Sequence, residues 1–444
     1  MVSVTSGAEA VRVTDRQRLM AVFASCFGWS LDLFDLFVLL YVAPVIGKLF
    51  FPSNYATLSL AAVYASFTVT LLMRPVGSAI FGNYADRHGR KSAMFVAVSG
   101  VGLATAAFGL LPTLAQAGIF APIIFLLLRL VQGVFVGGVV ATTHTVGTES
   151  VPERWRGAVS GLVGGGGAGL GALMASLAFW FATTLFPGSD FDVWGWRVMF
   201  YSGILSSALG LLIFKYLEES PVWLAASSRR AATRGAVKTK SPVGELFSGP
   251  LRNVLLINLL ITTGAGSAYY VTSGYLPTFL KVISKIPNSS ISAILIGSAL
   301  IATISGPVVG FISDLIGRRA TFLAVGLPGL ILLPLMYMWM AQTQDVTTIA
   351  IYAFVISFFG NAVLAPVPIF LNERFPTALR ASGTGLSWNI GFALGGMMPT
   401  VVSLVSRETA NIPISLAIFS CGACALFVVG ALAAGETKGA RLDE

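Results

Sequence analysis

Charge is scarce in this sequence: Asp, Glu, Lys and Arg make up 11% of its 444 residues, against about a quarter in a soluble domain. That deficit excludes an ordinary water-soluble globule. Cysteine is scarcer still, with Cys26, Cys421 and Cys424 all set in apolar runs. A Cys-x-x-Cys pair with no further ligands makes a poor metal site, so all three are read as packing residues. No Gly-Lys-Ser/Thr follows the glycine-rich "GLVGGGGAGLGALMAS", which excludes a phosphate cradle and ATP as the energy source. No cofactor is expected, and no nucleophile, base and acid cluster suggests an enzyme. The polar start "MVSVTSGAEAVRVTDRQR" lacks the apolar core of a signal peptide, so the first helix is expected to direct insertion.

What the chain has in abundance is apolar length. A helix crosses about 30 Å of hydrocarbon with roughly 20 mostly apolar residues, and such runs recur throughout. They predict an all-α membrane protein of twelve helices, at 19–46, 57–84, 92–112, 119–147, 157–185, 197–217, 251–280, 289–315, 320–341, 346–372, 382–404 and 412–434. The net charge of +9 is a matter of placement: twenty of the 28 Lys and Arg fall in the termini and the even-to-odd loops, and only Lys48, Arg197, Lys281, Lys285 and Arg407 in the opposite loops. By the positive-inside rule both termini are cytoplasmic, and the lipid bilayer is the expected environment. Nucleic acid is not implied. The polar segment 218–250, with "SSRRAATRGAVKTK", divides a tail (1–18) and a six-helix bundle (19–217) from a second bundle (251–434) and a cytoplasmic tail (435–444).

The two halves echo one another. "GNYADRHGRK" (Gly82 to Lys91) returns as "GFISDLIGRR" (Gly310 to Arg319), with Leu315 where the first copy has Arg87, and "ESVPERWRGAVSG" aligns with "ERFPTALRASGTG" so that Glu149 matches Glu373 and Arg156 matches Arg380. Repeated six-helix units suit a transporter that rocks about a site between them. Over nearly its whole length the chain resembles the major facilitator superfamily: Gly82, Asp86, Arg87, Gly89, Arg90 and Lys91 meet that family's loop signature in full. The "RxxxG" after Arg129, the "ExxPxxxRG" from Glu149 and "EESPVWL" are similar to sugar-porter and metabolite:proton symporter branches. The resemblance implies two pseudo-symmetric bundles and a gate in which Asp86 caps the start of helix 11 near Ala381, with Arg87, Arg90, Lys91, Glu149 and Arg156 about it and Glu373 and Arg380 as mirror images. It also implies a monomer, placed in the bacterial inner (plasma) membrane.

Ionisable groups within the hydrocarbon cost at least about 2.5 kcal/mol each and are functional candidates by default. Asp32 and Asp35 lie roughly 20–24 Å along helix 1, near the bilayer middle, and share a face. Arg129 on helix 4 and Arg74 on helix 2 come within the same layer by the same rise. The four can pair, and a proton competing for a carboxylate would then reset the balance between inward and outward states. The resemblance maps proton coupling onto Asp32 or Asp35 with Arg129; a static network fixing helices 1, 2 and 4 is the alternative. His144, near the end of helix 4, is a candidate proton relay. Arg74, Gln132, Tyr269, Tyr270, Asn361 and Asn389 are the candidate substrate contacts, because Tyr and Asn offer hydrogen bonds within an apolar wall.

These features predict a proton-driven symporter for a small anionic metabolite, such as a monocarboxylate or aromatic acid. A sugar or polyol symporter is the runner-up, followed by a drug antiporter, although the Gly-Pro of drug antiporters is missing from helix 5.

Overall fold

A computed structural model describes residues 15–88, 90–149, 151–216, 249–376 and 379–440. Among the described residues there are twelve long helices. The first six are α1 (Asp15–Phe50), α2 (Ala56–His88), α3 (Arg90–Phe108), α4 (Phe120–Glu149), α5 (Arg156–Gly161, a π turn Leu162–Gly166, then Gly167–Leu185) and α6 (Trp196–Tyr216). In the second half come α7 (Gly249–Tyr269, a π turn Tyr270–Gly274, then Leu276–Val282), α8 (Asn288–Ile316), α9 (Arg318–Met340), α10 (Val346–Ala362 and Val367–Glu373), α11 (Arg380–Gly396 and Met398–Ser406) and α12 (Ile412–Ala433). Ten stretches of the described residues are long and apolar enough to cross a membrane.

Helices α1 and α2 run four residues past the apolar limits read from sequence, because their polar ends continue beyond the hydrocarbon while keeping their backbone hydrogen bonds, whereas α3 stops four residues short, at Phe108. Four, α5, α7, α10 and α11, are also interrupted where continuous spans were expected. In α10 the sequence "APVP" places Pro366 and Pro368 within one turn, removing two backbone donors and breaking the helix between Ala362 and Val367. The buried Ser160 of α5 fills that break: its hydroxyl donates to Ala365 O at 2.9 Å and accepts from Ile369 N–H at 3.1 Å. Such freed backbone groups must be satisfied inside a membrane protein. In the π turn of α5, Gly164 O accepts from Trp29 Nε1 at 3.1 Å as well as from the Gly167 amide.

The halves meet along two seams. On one, α5 lies against α8, and its glycines at every fourth position, Gly157, Gly161, Gly165 and Gly169, face Thr303, Gly306 and Gly310. A Cβ on Gly161 would overlap the Gly306 carbonyl, and one on Gly306 would overlap the Gly166 amide. The two main chains are in contact, which only small residues permit. On the other seam α2 lies against α11, through side chains: Thr68 Oγ1 reaches Gly396 O at 3.3 Å and Thr57 Oγ1 reaches Arg407 O at 2.7 Å.

Contacts join the halves toward both faces. Away from the termini, Tyr64 of α2 stacks on Tyr275 of α7 at 5.1 Å and bonds Thr278 Oγ1 at 2.7 Å. At the face bearing the termini, an ion-pair cluster described below ties α5 to α8, α9 and α10.

Candidate functional site

Helix α1 buries both its carboxylates, each residue 3% exposed, and the helical twist sends them to different partners. Asp32 turns to α2, where Arg74 Nη2 lies 3.2 Å from Oδ2 and 3.4 Å from Oδ1. Asp35 is the carboxylate whose charge acts on Arg129. The shared layer expected from sequence is therefore two separate couples, and the carboxylate paired with Arg74 is not the one facing Arg129.

Arg129 is enclosed within the first half. Its Nη1 donates to Gln132 Oε1 at 2.7 Å, Gln132 Nε2 donates to Thr105 Oγ1 at 2.8 Å, and the guanidinium carbon stands 4.3 Å from the centre of the Phe108 ring. This corrects Gln132 as a substrate contact: one turn along α4 from Arg129, it is spent orienting that residue between α3 and α4. Arg74 is corrected in part, since its guanidinium is held by Asp32; it becomes available to a ligand only when that pair opens.

The Asp32–Arg74 pair looks across to the second half. Tyr269 and Tyr270 of α7 both feel the charges of Asp32 and Arg74. Tyr269 packs edge-on to Phe37 of α1 at 6.1 Å, and Tyr270 to Phe67 of α2 at 5.3 Å. The Tyr269 hydroxyl is buried without a hydrogen-bond partner. Beside this aromatic cluster lies a cavity of about 20 Å³ between the halves, lined among others by Phe37, Tyr41, Ser273, Ser298 and Asn361. Asn361 Nδ2 donates to Ser273 Oγ at 2.9 Å and to Ser357 O at 3.0 Å. Asn389 is half-buried on α11 and does not line that cavity. Toward the terminal face, Trp29 meets Trp388 of the opposite half at 5.8 Å and closes the site from below.

Among the described residues, the second repeat forms an ion-pair cluster at the terminal face. Asp314 Oδ1 and Oδ2 each accept a backbone N–H at 2.9 Å, from Gly157 and Ala158 at the start of α5. A carboxylate at a helix N-terminus satisfies free donors and complements the dipole. Arg318 Nη1 pairs with Asp314 at 2.7 Å and Nη2 with Glu373 at 3.1 Å. Arg318, which aligns with Arg90 of the first repeat, thus supplies a guanidinium to Asp314 although Leu315 stands next to it. Glu373 also accepts from Thr437 Oγ1 at 2.7 Å and feels the charge of Arg156. Arg380 Nε donates to Asn372 O at 3.0 Å.

Glu436 ends the cluster, accepting the amides of Arg318 at 2.8 Å and Arg319 at 3.1 Å at the start of α9. Burial raises its carboxyl, but the backbone donors outweigh that and hold it below the ordinary carboxylate range. Asp314, Arg318, Ser160 and Glu436 were missed in the sequence; the repeated Gly-x-x-x-Asp spacing was the available signal for Asp314. Gly82, Asp86, Arg87, Gly89, Arg90, Lys91, His144 and Glu149 lie outside the residues whose side chains are described.

Comparison with known proteins agrees with this architecture. The family model of the Major Facilitator Superfamily matches residues 18–400. A putative metabolite transport protein of Haemophilus influenzae is 27% identical over 96% of this chain and 98% of its own length. The inner membrane metabolite transport protein YhjE of Escherichia coli K12 is 28% identical over 89% of each chain, and that organism's proline/betaine transporter is 27% identical over 90% of this chain and 80% of its own. The proton:xylose symporter XylE bound to 6-bromo-6-deoxy-D-glucose superposes with a TM-score of 0.74 at 17% identity, over 97% of this chain and 99% of that one. With its apolar spans, its paired six-helix bundles and this match, the chain is an integral membrane transporter, not an enzyme, and belongs to the Major Facilitator Superfamily.

Proposed function

We propose that this transporter carries a small carboxylate-bearing metabolite together with a proton across the bacterial inner membrane, with both termini in the cytoplasm. The observation behind this reading is the buried Asp32–Arg74 pair at the junction of the halves, 3.2 Å apart and facing Tyr269 and Tyr270. With Asp35 and Arg129 the midspan set carries two negative and two positive charges, so an anion gains no net attraction from it. Protonation of Asp32 releases Arg74 and leaves one positive charge, and a monoanion restores neutrality. Each ligand thereby favours binding of the other, which is the thermodynamic content of symport. Asp35, held in the first half beside Arg129, is the second proton-titrating group.

Alternating access follows from the two closures. Opening toward the cytoplasm must break the Asp314 bonds to α5 and withdraw Ser160 from the break in α10. Opening outward must separate Tyr64 from Tyr275 and Thr278. The proton gradient supplies the drive, and no cofactor takes part.

A zwitterionic substrate is the second reading, supported by relatives named as proline/betaine transporters and by the aromatic rings of Phe37, Phe67, Tyr269 and Tyr270, which suit an ammonium group. The two readings differ in transported charge. One proton with a monoanion is electroneutral, whereas one proton with a zwitterion carries +1. Uptake by purified protein in liposomes, driven in turn by a pH gradient alone and by a potassium-diffusion potential alone, tests both. A pH-driven, potential-insensitive uptake of a monocarboxylate supports the anion reading; potential-driven uptake of proline or betaine replaces it with the second; transport of sugars alone rejects both.

A further inference from the structure

The cavity between the halves contains two polar groups that the protein leaves unused. Asn361 is 2% exposed and Ser298 5%; both line the cavity, and neither Asn361 Oδ1 nor Ser298 Oγ has a hydrogen-bond partner. Buried polar atoms are nearly always bonded, so each exception calls for a physical cause. The orientation of the Asn361 amide is fixed by chemistry: the Ser357 carbonyl, 3.0 Å away, can only accept, so the nitrogen must face it and Oδ1 must point elsewhere. Asn361 therefore offers a pure acceptor at the site, and Ser298 offers a hydroxyl free to turn either way.

From this we infer that the substrate bears a hydrogen-bond donor besides its carboxylate, a hydroxyl or an N–H, which Asn361 Oδ1 receives with Ser298 as its neighbour. The inference rests on the proposed function and narrows its substrate class to hydroxy acids and amino or imino acids. Simple monocarboxylates and fully methylated betaines offer no such donor. The two places are one small molecule's length apart: Phe37, which lines the cavity, stands five residues beyond Asp32 on α1, about 8 Å along the axis. Tyr269 touches Phe37 and feels the Asp32 and Arg74 charges, so it joins the two sites. A site with a buried acceptor rejects the analogue that leaves it unpaired far more strongly than an apolar pocket rejects a missing methylene.

The test uses matched ligands on the purified full-length protein: propionate against lactate and alanine, N,N,N-trimethylglycine against N-methylglycine, and phenylacetate against mandelate, with affinities from thermal stabilisation and uptake in liposomes. The expected result is a preference of about tenfold or more for the donor-bearing member of the series that binds. Ser298→Ala removes a hydroxyl with no internal bond and so leaves the protein's own network intact. It and Asn361→Leu are expected to shrink the ratio between the members of a pair, which a merely structural defect would not do, because it would weaken both alike. Equal binding within every pair, as a permanently water-filled cavity would give, overturns the inference while leaving the symporter standing. Ratios unchanged in both variants also overturn it. Failure of all carboxylates to bind or be transported overturns the proposed function and this inference together.

Discussion

Replacing Asp32 by Asn imitates permanent protonation, and its effect can be worked from the pair geometry. At 3.2 Å and an effective dielectric constant of about 20, the Asp32–Arg74 attraction is about 5 kcal/mol before desolvation is counted. A bias of about 5.5 kcal/mol takes a two-state equilibrium from 1:99 to 99:1. An attraction of that size, made in one access state and broken in the other, suffices as the switch, and Asp32→Asn removes it. The variant is expected to exchange substrate across a liposome membrane at equal concentrations, a process needing no proton movement. It is expected to lose accumulation against a gradient and the pH dependence of uptake. It should also melt earlier, because an uncompensated buried guanidinium costs about 3–5 kcal/mol. Asp32→Asn protein that accumulates substrate to the wild-type level under a pH gradient would refute the reasoning.

Three further outcomes follow from the closures. Gly161→Ala places a methyl group against the Gly306 carbonyl and must push α5 from α8. A loss of about 1–3 kcal/mol in stability and a fall in transport of at least about tenfold are expected, read from melting and uptake. Asp314→Asn weakens two charge-assisted bonds to the start of α5 and the Arg318 pair, each worth about 1.5–3 kcal/mol. The distance between spin labels on the exposed positions Arg154 and Arg319 should broaden toward longer values, and an unchanged distribution would argue against a gate there. Glu436, whose carboxyl is held below its ordinary value, stabilises the start of α9 above its unfolded-state pKa and loses that contribution as pH falls through the depressed value. Protection of the Arg318 and Arg319 amides from hydrogen exchange should drop on strong acidification, and Glu436→Gln should show the lowered protection at every pH.

The twelve helices were legible because bilayer thickness imposes a run length that few other constraints produce. Asp32 and Asp35 were legible for a related reason, since a carboxylate in an apolar span has a cost that composition cannot hide. Their partners were not. Three residues on a helix separate two side chains by about 60°, and whether Asp32 meets Arg74 or Arg129 depends on how α1 is rotated between α2 and α4. Gln132 looked like a cavity residue on the same basis and instead steadies Arg129. The interruption of α10 was written in Pro366 and Pro368, but its occupant, Ser160, comes from a helix 205 positions from Ala365 in sequence. Arg318 shows a limit of motif alignment: the second loop has Leu315 where the first has Arg87, yet Arg318, the counterpart of Arg90, brings a guanidinium to Asp314.

The glycine seam between α5 and α8 bears on how quickly such a machine can turn over. Where side chains interlock, each swing of one half against the other must lift them out of their pockets and reset their rotamers. Main chain resting on main chain has no rotamers to reset. The joint behaves as a smooth bearing, so friction resides in the aromatic and ionic closures at either face, where cargo and proton can regulate it.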